Sequence, residues 1–517
     1  MEVPRTPPPP HVRVAVVGTG FGGLGAAAAM LRDGETSLVV FERAQGVGGV
    51  WEANRYPGAA CDIQSHLYEF ADAPNPEWSR RFATQPEIRA YLAGVARGSG
   101  VLPHVRFGHD VTDARWDDQA ARWHLATSGG PWTADVLVAA AGALAAPSLP
   151  ELPGLDTFAG PVVHTSRWPE GLDVAGLRVA VVGTGASAVQ VVPALQRAAG
   201  HVTVFQRTAP WVMPRMDRRL APLTRRVLRA PAAHRALRGA LYGLRETYGR
   251  AMRVRPLAAV GAGIARLHLR RQVPDAGLRR RLTPGYRFGC KRVLISDDYY
   301  PALGQPNATL AGGAASVRPH SVVDAEGVEH AADVLVFATG FHVHDLPFAR
   351  RVRGRAGRTL ADVWGPSPTA HVGTTVAGFP NLFLIQGPNT SLGHTSVVLT
   401  IEAQVAHVVA ALRAMCAGGI AAVEPRARAQ AAFAAEVDRL GRGTVWTTGG
   451  CASWYLDATG RNAALWPGSV GAFRRRVAPF DAAEYHLRPA VSAPAVSVRG
   501  IARRSARCQA GPRTTPA

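Results

Sequence analysis

Short apolar runs and the glycines between them divide this chain into its elements. Val12–Val17 is an apolar run that stops at a glycine turn, which predicts a buried strand. An alanine-rich helix is predicted from about Gly22 to Leu31, with the next strand at Leu38–Phe41. Together they make a β-α-β opening. The arrangement recurs with strands at Arg178–Val182 and His201–Phe205, and the leading glycines of the two turns, Gly18 and Gly183, stand 165 residues apart. Thr84-Gln85-Pro86-Glu87 has the spacing of a capping box with a proline in the first turn, so a helix is expected to start there. From Arg215 to Arg281 the strand signals give way to an Arg/Leu/Ala pattern that reads as helical. Later strands are predicted at Asp333–Phe337 and Gly378–Ile385, and a helix at Ile401–Ala414. The fold class this implies is α/β, with two Rossmann-like domains. Residues 1–10 are a flexible leader. Segments 11–155 and 331–486 form the first domain. Segment 156–330 forms the second, with a helical insertion at about 215–285. The Pro/Ala/Ser/Arg-rich stretch 487–517 is expected to be a disordered tail.

Composition narrows this picture. A chain of 517 residues, 47% hydrophobic and 18% charged, has the makings of two or three globular cores. No apolar run reads as a membrane span and no secretory signal is evident, so a cytoplasmic protein is expected. The five cysteines, Cys61, Cys290, Cys416, Cys451 and Cys508, include no C-x-x-C pair. That argues against a dithiol centre and a metal cage, and in the cytoplasm free thiols are expected. The net charge of +21 comes almost wholly from arginine, concentrated between Arg215 and Arg281, with Lys291 the sole lysine. No nucleic-acid module accompanies the charge, so nucleic-acid binding is not expected.

The glycine turns carry specific chemistry. Gly18-x-Gly20-x-x-Gly23 follows a strand and opens a helix. In that setting Gly18 makes the turn, Gly20 admits a pyrophosphate, and Gly23 lets helix and strand approach. Glu42, at the end of the next strand, is placed to accept from adenosine ribose hydroxyls. The second loop reads Gly183-x-Gly185-x-Ser187-Ala188, and its partner strand ends in Gln206-Arg207-Thr208 instead of a carboxylate. Arg207 and Thr208 suit a ribose 2′-phosphate, which predicts NADPH over NADH. In a chain that otherwise uses arginine, Lys291 reads as a further phosphate contact.

Between the loops stands Phe158-x-Gly160-x3-His164-x3-Trp168-Pro169. With it the chain closely resembles the type I Baeyer–Villiger flavin monooxygenases. Gly48-Gly49-Val50-Trp51, Tyr56-Pro57-Gly58 and Asp62 are similar to the segment that follows the FAD-ribose strand in that family. Phe288-Gly-Cys-Lys291-Arg292, Asp298-Tyr299-Tyr300, Asn307, Ala338-Thr339-Gly340-Phe341 and Gly387-Pro388-Asn389 resemble further family segments. The likeness spans about residues 11 to 475. Ala140-Ala141-Gly142 departs from an A-T-G pattern often seen there, and the surroundings of Ser453–Asp457 vary within the family.

The resemblance implies FAD bound by 11–155 with 331–486, and NADPH bound by 156–330. Gly49, Trp51, Asp62 and Asn389 join Gly18, Gly20, Gly23 and Glu42 as cofactor residues. The implied reaction inserts one oxygen of O2 beside a ketone carbonyl through a C4a-peroxyflavin, giving an ester or lactone. Arg292 is then the cation that steadies the reacting anion, and Asp62 the carboxylate that orients it. His164, with Phe158, Gly160, Trp168 and Pro169, is assigned to coupling between the domains, not to proton transfer. The alternative is an N- or S-oxygenating flavin monooxygenase acting on a substrate such as a thioether; Trp168-Pro169 and the Asp62/Arg292 pair speak against it. A disulfide-reducing enzyme would want the absent C-x-x-C. A cofactor-binding protein without catalysis would not be bleached by NADPH.

Overall fold

A computed structural model describes residues 8–490. The first sheet is built on β1 (His11–Val17), β2 (Leu38–Glu42) and β3 (Val105–Phe107), all parallel. It continues through β6 (Gly130–Ala139), parallel to β1, and the antiparallel β5 (Arg122–Thr127) and β4 (Val111–Asp117). Two returning strands complete it: Val352–Arg353 beside β4 and Leu382–Leu384 beside β6. At its centre Val14, Ala15 and Val16 are fully buried, as expected of a strand covered on both faces. One face carries α1 (Phe21–Arg32), α3 (Gln85–Gly98) and the helix Val398–Ala417; α2 (Val50–Ala53) lies between α1 and α3 in the chain. The expected capping box holds: Thr84 and Glu87 bond reciprocally at the start of α3.

The helix Val398–Ala417 is long and apolar enough to cross a bilayer by composition, but 72% of its apolar window is buried in the fold. Its length exceeds the predicted Ile401–Ala414. The strand expected at Gly378–Ile385 shrinks to Leu382–Leu384, because Phe379 and Asn381 are held in a turn before it.

The second sheet is wholly parallel. It contains β7 (Val162–His164), β8 (Arg178–Val182) and β9 (His201–Phe205), with Ala308–Ala311 and Val334–Phe337; α4 (Ala188–Ala198) follows β8. Val334–Phe337 lies between β8 and β7, so the boundary expected at residue 331 falls too early. The strand itself was legible; its sheet depends on long-range pairing. Likewise Tyr485–Pro489 pairs with Ile420–Pro425, so the expected disordered tail cannot begin at 487. The rest of that tail and most of the leader lie outside the described residues.

The insertion contains α5 (Pro222–Leu228), α6 (Pro231–Arg253), α7 (Arg255–Gln272) and α8 (Ala276–Arg281). Proline in the first turn starts three of them. By chain order the insertion belongs to the second domain, yet α6 docks on the first. His234 bonds Glu69, Arg238 donates to the Glu69 carbonyl, and Glu246 bonds His394.

The chain crosses between the sheets twice, after β6 and after Val334–Phe337. The crossings run side by side: Pro147 bridges Phe341, and Ser148 N–H donates to the Gly340 carbonyl at 2.9 Å.

Candidate active site

The first glycine loop is a bare backbone cradle. Gly18 has φ +99°, and a Cβ there would lie 2.7 Å from the Ala140 carbonyl oxygen. A Cβ on Gly23 would come within 1.8 Å of the Gly18 oxygen. Gly20 lies against Gly49, where a Cβ would meet the Gly20 Cα at 2.9 Å. Helix α1 begins at this cradle with no side-chain cap, so its N-terminal N–H groups fit a pyrophosphate. Glu42 is buried and accepts from the Thr19 N–H and hydroxyl at 2.9 and 2.6 Å. It therefore braces the loop, and its carboxylate lone pairs not used by Thr19 and Ala44 suit ribose hydroxyls. Trp51 donates from its indole to Tyr68 at 3.1 Å and stands edge-on to that ring. These residues fit FAD.

The second loop repeats the geometry. Gly183 has φ +114° and a Cβ there would meet the Ala338 oxygen at 2.5 Å, while Gly185 faces open space. Ser187 precedes α4 without capping it, and Ala188 is fully buried behind. Thr208 is tied in by its carbonyl, which accepts from Thr184. Among the described residues neither Arg207 nor Lys291 forms an ion pair. Burial lowers the Lys291 ammonium pKa, and the charge of Arg207 lowers it further. Two cations that repel each other with no carboxylate between them fit a dianionic phosphate, as NADPH offers.

Asp62 and Arg292 meet across 230 residues, with carboxylate–guanidinium contacts of 2.7 to 2.9 Å from both Nε and Nη2. The two side chains are about a quarter exposed, at 25% and 27%. Burial opposes the Asp62 charge, but Arg292 beside it holds the carboxyl below the usual range, helped by Arg245 and Arg215. Asp62 in turn raises Arg292 above its ordinary value. Arg245, from α6, donates to Gln64 at 2.8 Å and toward the Asp62 carbonyl at 3.4 Å; Arg215 donates to the Cys61 carbonyl at 3.1 Å. One loop of the first domain is thus held by three guanidiniums from the other side. Tyr455 is buried, and its hydroxyl pKa is pushed up mainly by that burial, against the pull of Arg292. The Cys61 thiol is pushed up to about 12 by burial and by Asp62, so it stays protonated.

Known proteins match this architecture. A family model described as flavin-binding monooxygenase-like covers residues 11–229. A Baeyer–Villiger monooxygenase of Streptomyces coelicolor is 50% identical over 93% of both chains. One from Pseudomonas aeruginosa is 43% identical over 92% of both. The chain belongs to the Baeyer–Villiger monooxygenases. Among solved structures, cyclohexanone monooxygenase from Rhodococcus sp. Phi1 bound to NADP+ superposes with TM-score 0.84 at 30% identity, covering 93% of this chain and all of that one. The recognition drawn from the motif therefore holds, as do FAD and NADP as cofactors and the preference over an N- or S-oxygenating enzyme.

In this monooxygenase the motif Phe158 to Pro169 stands apart from the Asp62–Arg292 pair. Gly160 is obligatory, since a Cβ would lie 2.0 Å from the Asp333 carbonyl oxygen. Phe158 is buried with Val317 and Phe337; Trp168 packs on the second core and Pro169 is exposed. His164 lies 3.1 Å from the Gly340 carbonyl through Nε2 and 2.8 Å from the Ser166 hydroxyl through Nδ1. A carbonyl only accepts, so Nε2 carries the proton and Nδ1 accepts. Burial keeps this ring's pKa below its usual value, and both nitrogens are engaged. The ring clamps the returning crossing. Asn389 has φ +60°, and its side-chain amide donates to the carbonyls of Asn462 and Leu465, so it also braces the 462–465 loop.

The cysteine expectation is corrected. Cys290 is bonded to Cys451, Cys416 is disulfide-bonded as well, and Cys61 is free and buried. The 449–451 segment folds over the turn that precedes Arg292, where Arg287 N–H donates to the Gly449 carbonyl. Cysteine spacing carries no record of that approach. Arg215 and Arg245 carry no sequence signal beyond the arginine density of the insertion, and Tyr455 lies in the Ser453–Asp457 stretch without a role that the sequence assigns to it.

Proposed function

We propose that this enzyme oxidises a small apolar ketone, of which cyclohexanone is the simplest test, to its ester or lactone, with Arg292 and Asp62 as the residues that govern the oxygen transfer. The observation that carries this reading is the doubly bonded Asp62–Arg292 pair, supported in place by two further arginines. FAD, when bound, supplies the redox and oxygenating chemistry with NADPH and O2. The domain of the first sheet holds FAD through Gly18, Gly20, Gly23, Glu42, Gly49 and Trp51. Segment 156–330 holds NADPH through Gly183, Gly185, Ser187 and Ala188, with Arg207, Thr208 and Lys291 on the 2′-phosphate. Arg292 stays protonated throughout the working range, so it stabilises negative charge on the reacting oxygens without donating its proton. Asp62 fixes the guanidinium plane and offsets the cost of its partial burial. His164 is a coupling residue.

The deciding experiment is Arg292→Ala. Expected are retained FAD, retained bleaching by NADPH, and a loss of ketone oxygenation on the order of 10²–10³-fold, the size seen when a preorganised donor is removed. Ester formation at the parent rate overturns the assignment. Arg207→Ala is expected to raise the Michaelis constant for NADPH while leaving that for NADH within about twofold, the loss of a charge-assisted pair.

A further inference from the structure

We infer that helix α7 is a docking surface for a bilayer rich in anionic phospholipid. Leu257, Val260, Ile264 and Leu267 are 51%, 60%, 44% and 46% exposed. Their spacing of three, four and three residues puts them on one stripe of the helix, within an arc of about 80° and a length of about 15 Å. The opposite side of α7 is the anchored one: Ala262, Ala265 and Leu269 are buried. Among the described residues nothing covers this aliphatic stripe.

The charge around the stripe names its partner. Residues 215–281 carry eighteen arginines against Asp217, Glu246 and Asp275, so this segment holds most of the net charge of +21. Some of these arginines are spent internally: Arg229 pairs with Glu77, and Arg238 with Glu402. On α7, Arg270 and Arg271 are exposed at the C-terminal end of the stripe and meet no carboxylate among the described residues, whereas Arg255 and Arg266 fall on the anchored side, where Arg266 stacks over Trp211 at 5.4 Å. Unpaired arginines bordering an aliphatic stripe are the two halves of an interfacial helix: the apolar chains enter the headgroup boundary while the guanidiniums bind lipid phosphates. A nucleic acid would use the charge and leave four aliphatic chains in water. A second copy would oppose arginine with arginine. The segment 491–517 adds five arginines and no Asp or Glu to the chain's basic balance. The site gains by the arrangement, because the inner side of α7 packs with Trp211 and Phe288 in the aromatic cluster that reaches Cys290 and Tyr455. One helix diameter, about 10 Å, then separates the lipid from the neighbourhood of Arg292.

The test is cosedimentation of the full-length FAD-loaded enzyme with vesicles of phosphatidylcholine alone or mixed with phosphatidylglycerol. Binding is expected only to the anionic vesicles, weakening as salt is added. Val260→Glu/Ile264→Glu and, separately, Arg270→Glu/Arg271→Glu are each expected to lower vesicle affinity at least tenfold while cyclohexanone turnover in lipid-free buffer stays unchanged. Val260→Asn/Ile264→Gln, a milder pair, is expected to weaken binding in the same direction, and stands in if the acidic pair loses FAD. Absence of binding to anionic vesicles, equal binding to neutral ones, or binding indifferent to all these substitutions overturns the proposal. So does a lipid-free dimer that the stripe substitutions dissociate, or RNA binding that depends on Arg270 and Arg271 where vesicles do not bind.

Discussion

At the scale of single residues, the Asp62 loop shows how the geometry proposed for oxygen transfer is distributed. Asp62 and Arg292 were legible because each sits in a run of neighbours with a recognisable pattern. Arg245 was not: it is one arginine among eighteen in its segment, and its bonds to Gln64 and Asp62 span 181 and 183 residues. Its role as a positioning residue gives a clear expectation. Arg245→Met removes charge-assisted hydrogen bonds worth about 1.5–3 kcal/mol, so ketone oxygenation is expected to fall roughly 10–100-fold. Flavin reduction by NADPH is expected to stay within about twofold, because the second glycine loop does not touch this residue, and Arg245→Lys is expected to recover part of the loss. Rapid-mixing absorbance separates the two half-reactions; equal slowing of both would show that the residue only maintains the fold. The sign of the Asp62 shift adds a pH statement. Its carboxyl is held below the ordinary range, so the pair is intact above that range and is lost only as pH falls beneath it.

At the scale of elements, the two β-α-β units were read almost to the residue: Arg178–Val182 and His201–Phe205 stand as predicted. Local rules suffice there, since a turn glycine with positive φ marks each strand end. Two misreadings come from long-range pairing, which leaves no local mark: Val334–Phe337 reads as a strand but of the other domain, and Tyr485–Pro489 does not read as a strand because a tail is expected from 487. The stretch Phe158 to Pro169 is legible as a motif, but its hold on the returning crossing is not, until Gly340 is seen beside His164. Gly160 gives the sharpest element-level expectation. Gly160→Ala must displace the Asp333 backbone that feeds Val334–Phe337, at an overpacking cost of about 1–3 kcal/mol. A lowered thermal midpoint is expected, with FAD still bound through the first loop; an unchanged midpoint would show that the backbone yields freely.

At the scale of the whole molecule, buried neutral histidines set the acid limit. Burial pushes His407 down to about 4, within hydrogen-bond distance of the Val477 carbonyl and the Tyr485 hydroxyl, so it ties the helix Val398–Ala417 to the C-terminal strand. His66 is likewise lowered to about 4 by burial. A depressed histidine favours the folded state at and above the unfolded value near 6.5, and that advantage is lost as pH falls toward 4. Each can contribute up to about 3 kcal/mol, at 1.36 kcal/mol per unit. Thermal midpoints are expected to drop steeply between pH 6.5 and 4, and His407→Gln is expected to flatten that slope even where it lowers the midpoint. A slope unaltered by the substitution would assign the acid sensitivity elsewhere.

The paired crossings between the two sheets have a mechanical consequence. A body attached by one strand can turn about three axes; attached by two adjacent strands laced by Pro147, Phe341 and Ser148, it can turn about little more than one. The direction in which the nucleotide-binding half can swing is therefore written into the backbone before any ligand arrives. The Cys290–Cys451 bond closes a covalent loop that passes through the returning crossing, with its ends 161 residues apart in sequence. While the disulfide is intact, any rotation of one half against the other is bounded by the slack in that loop.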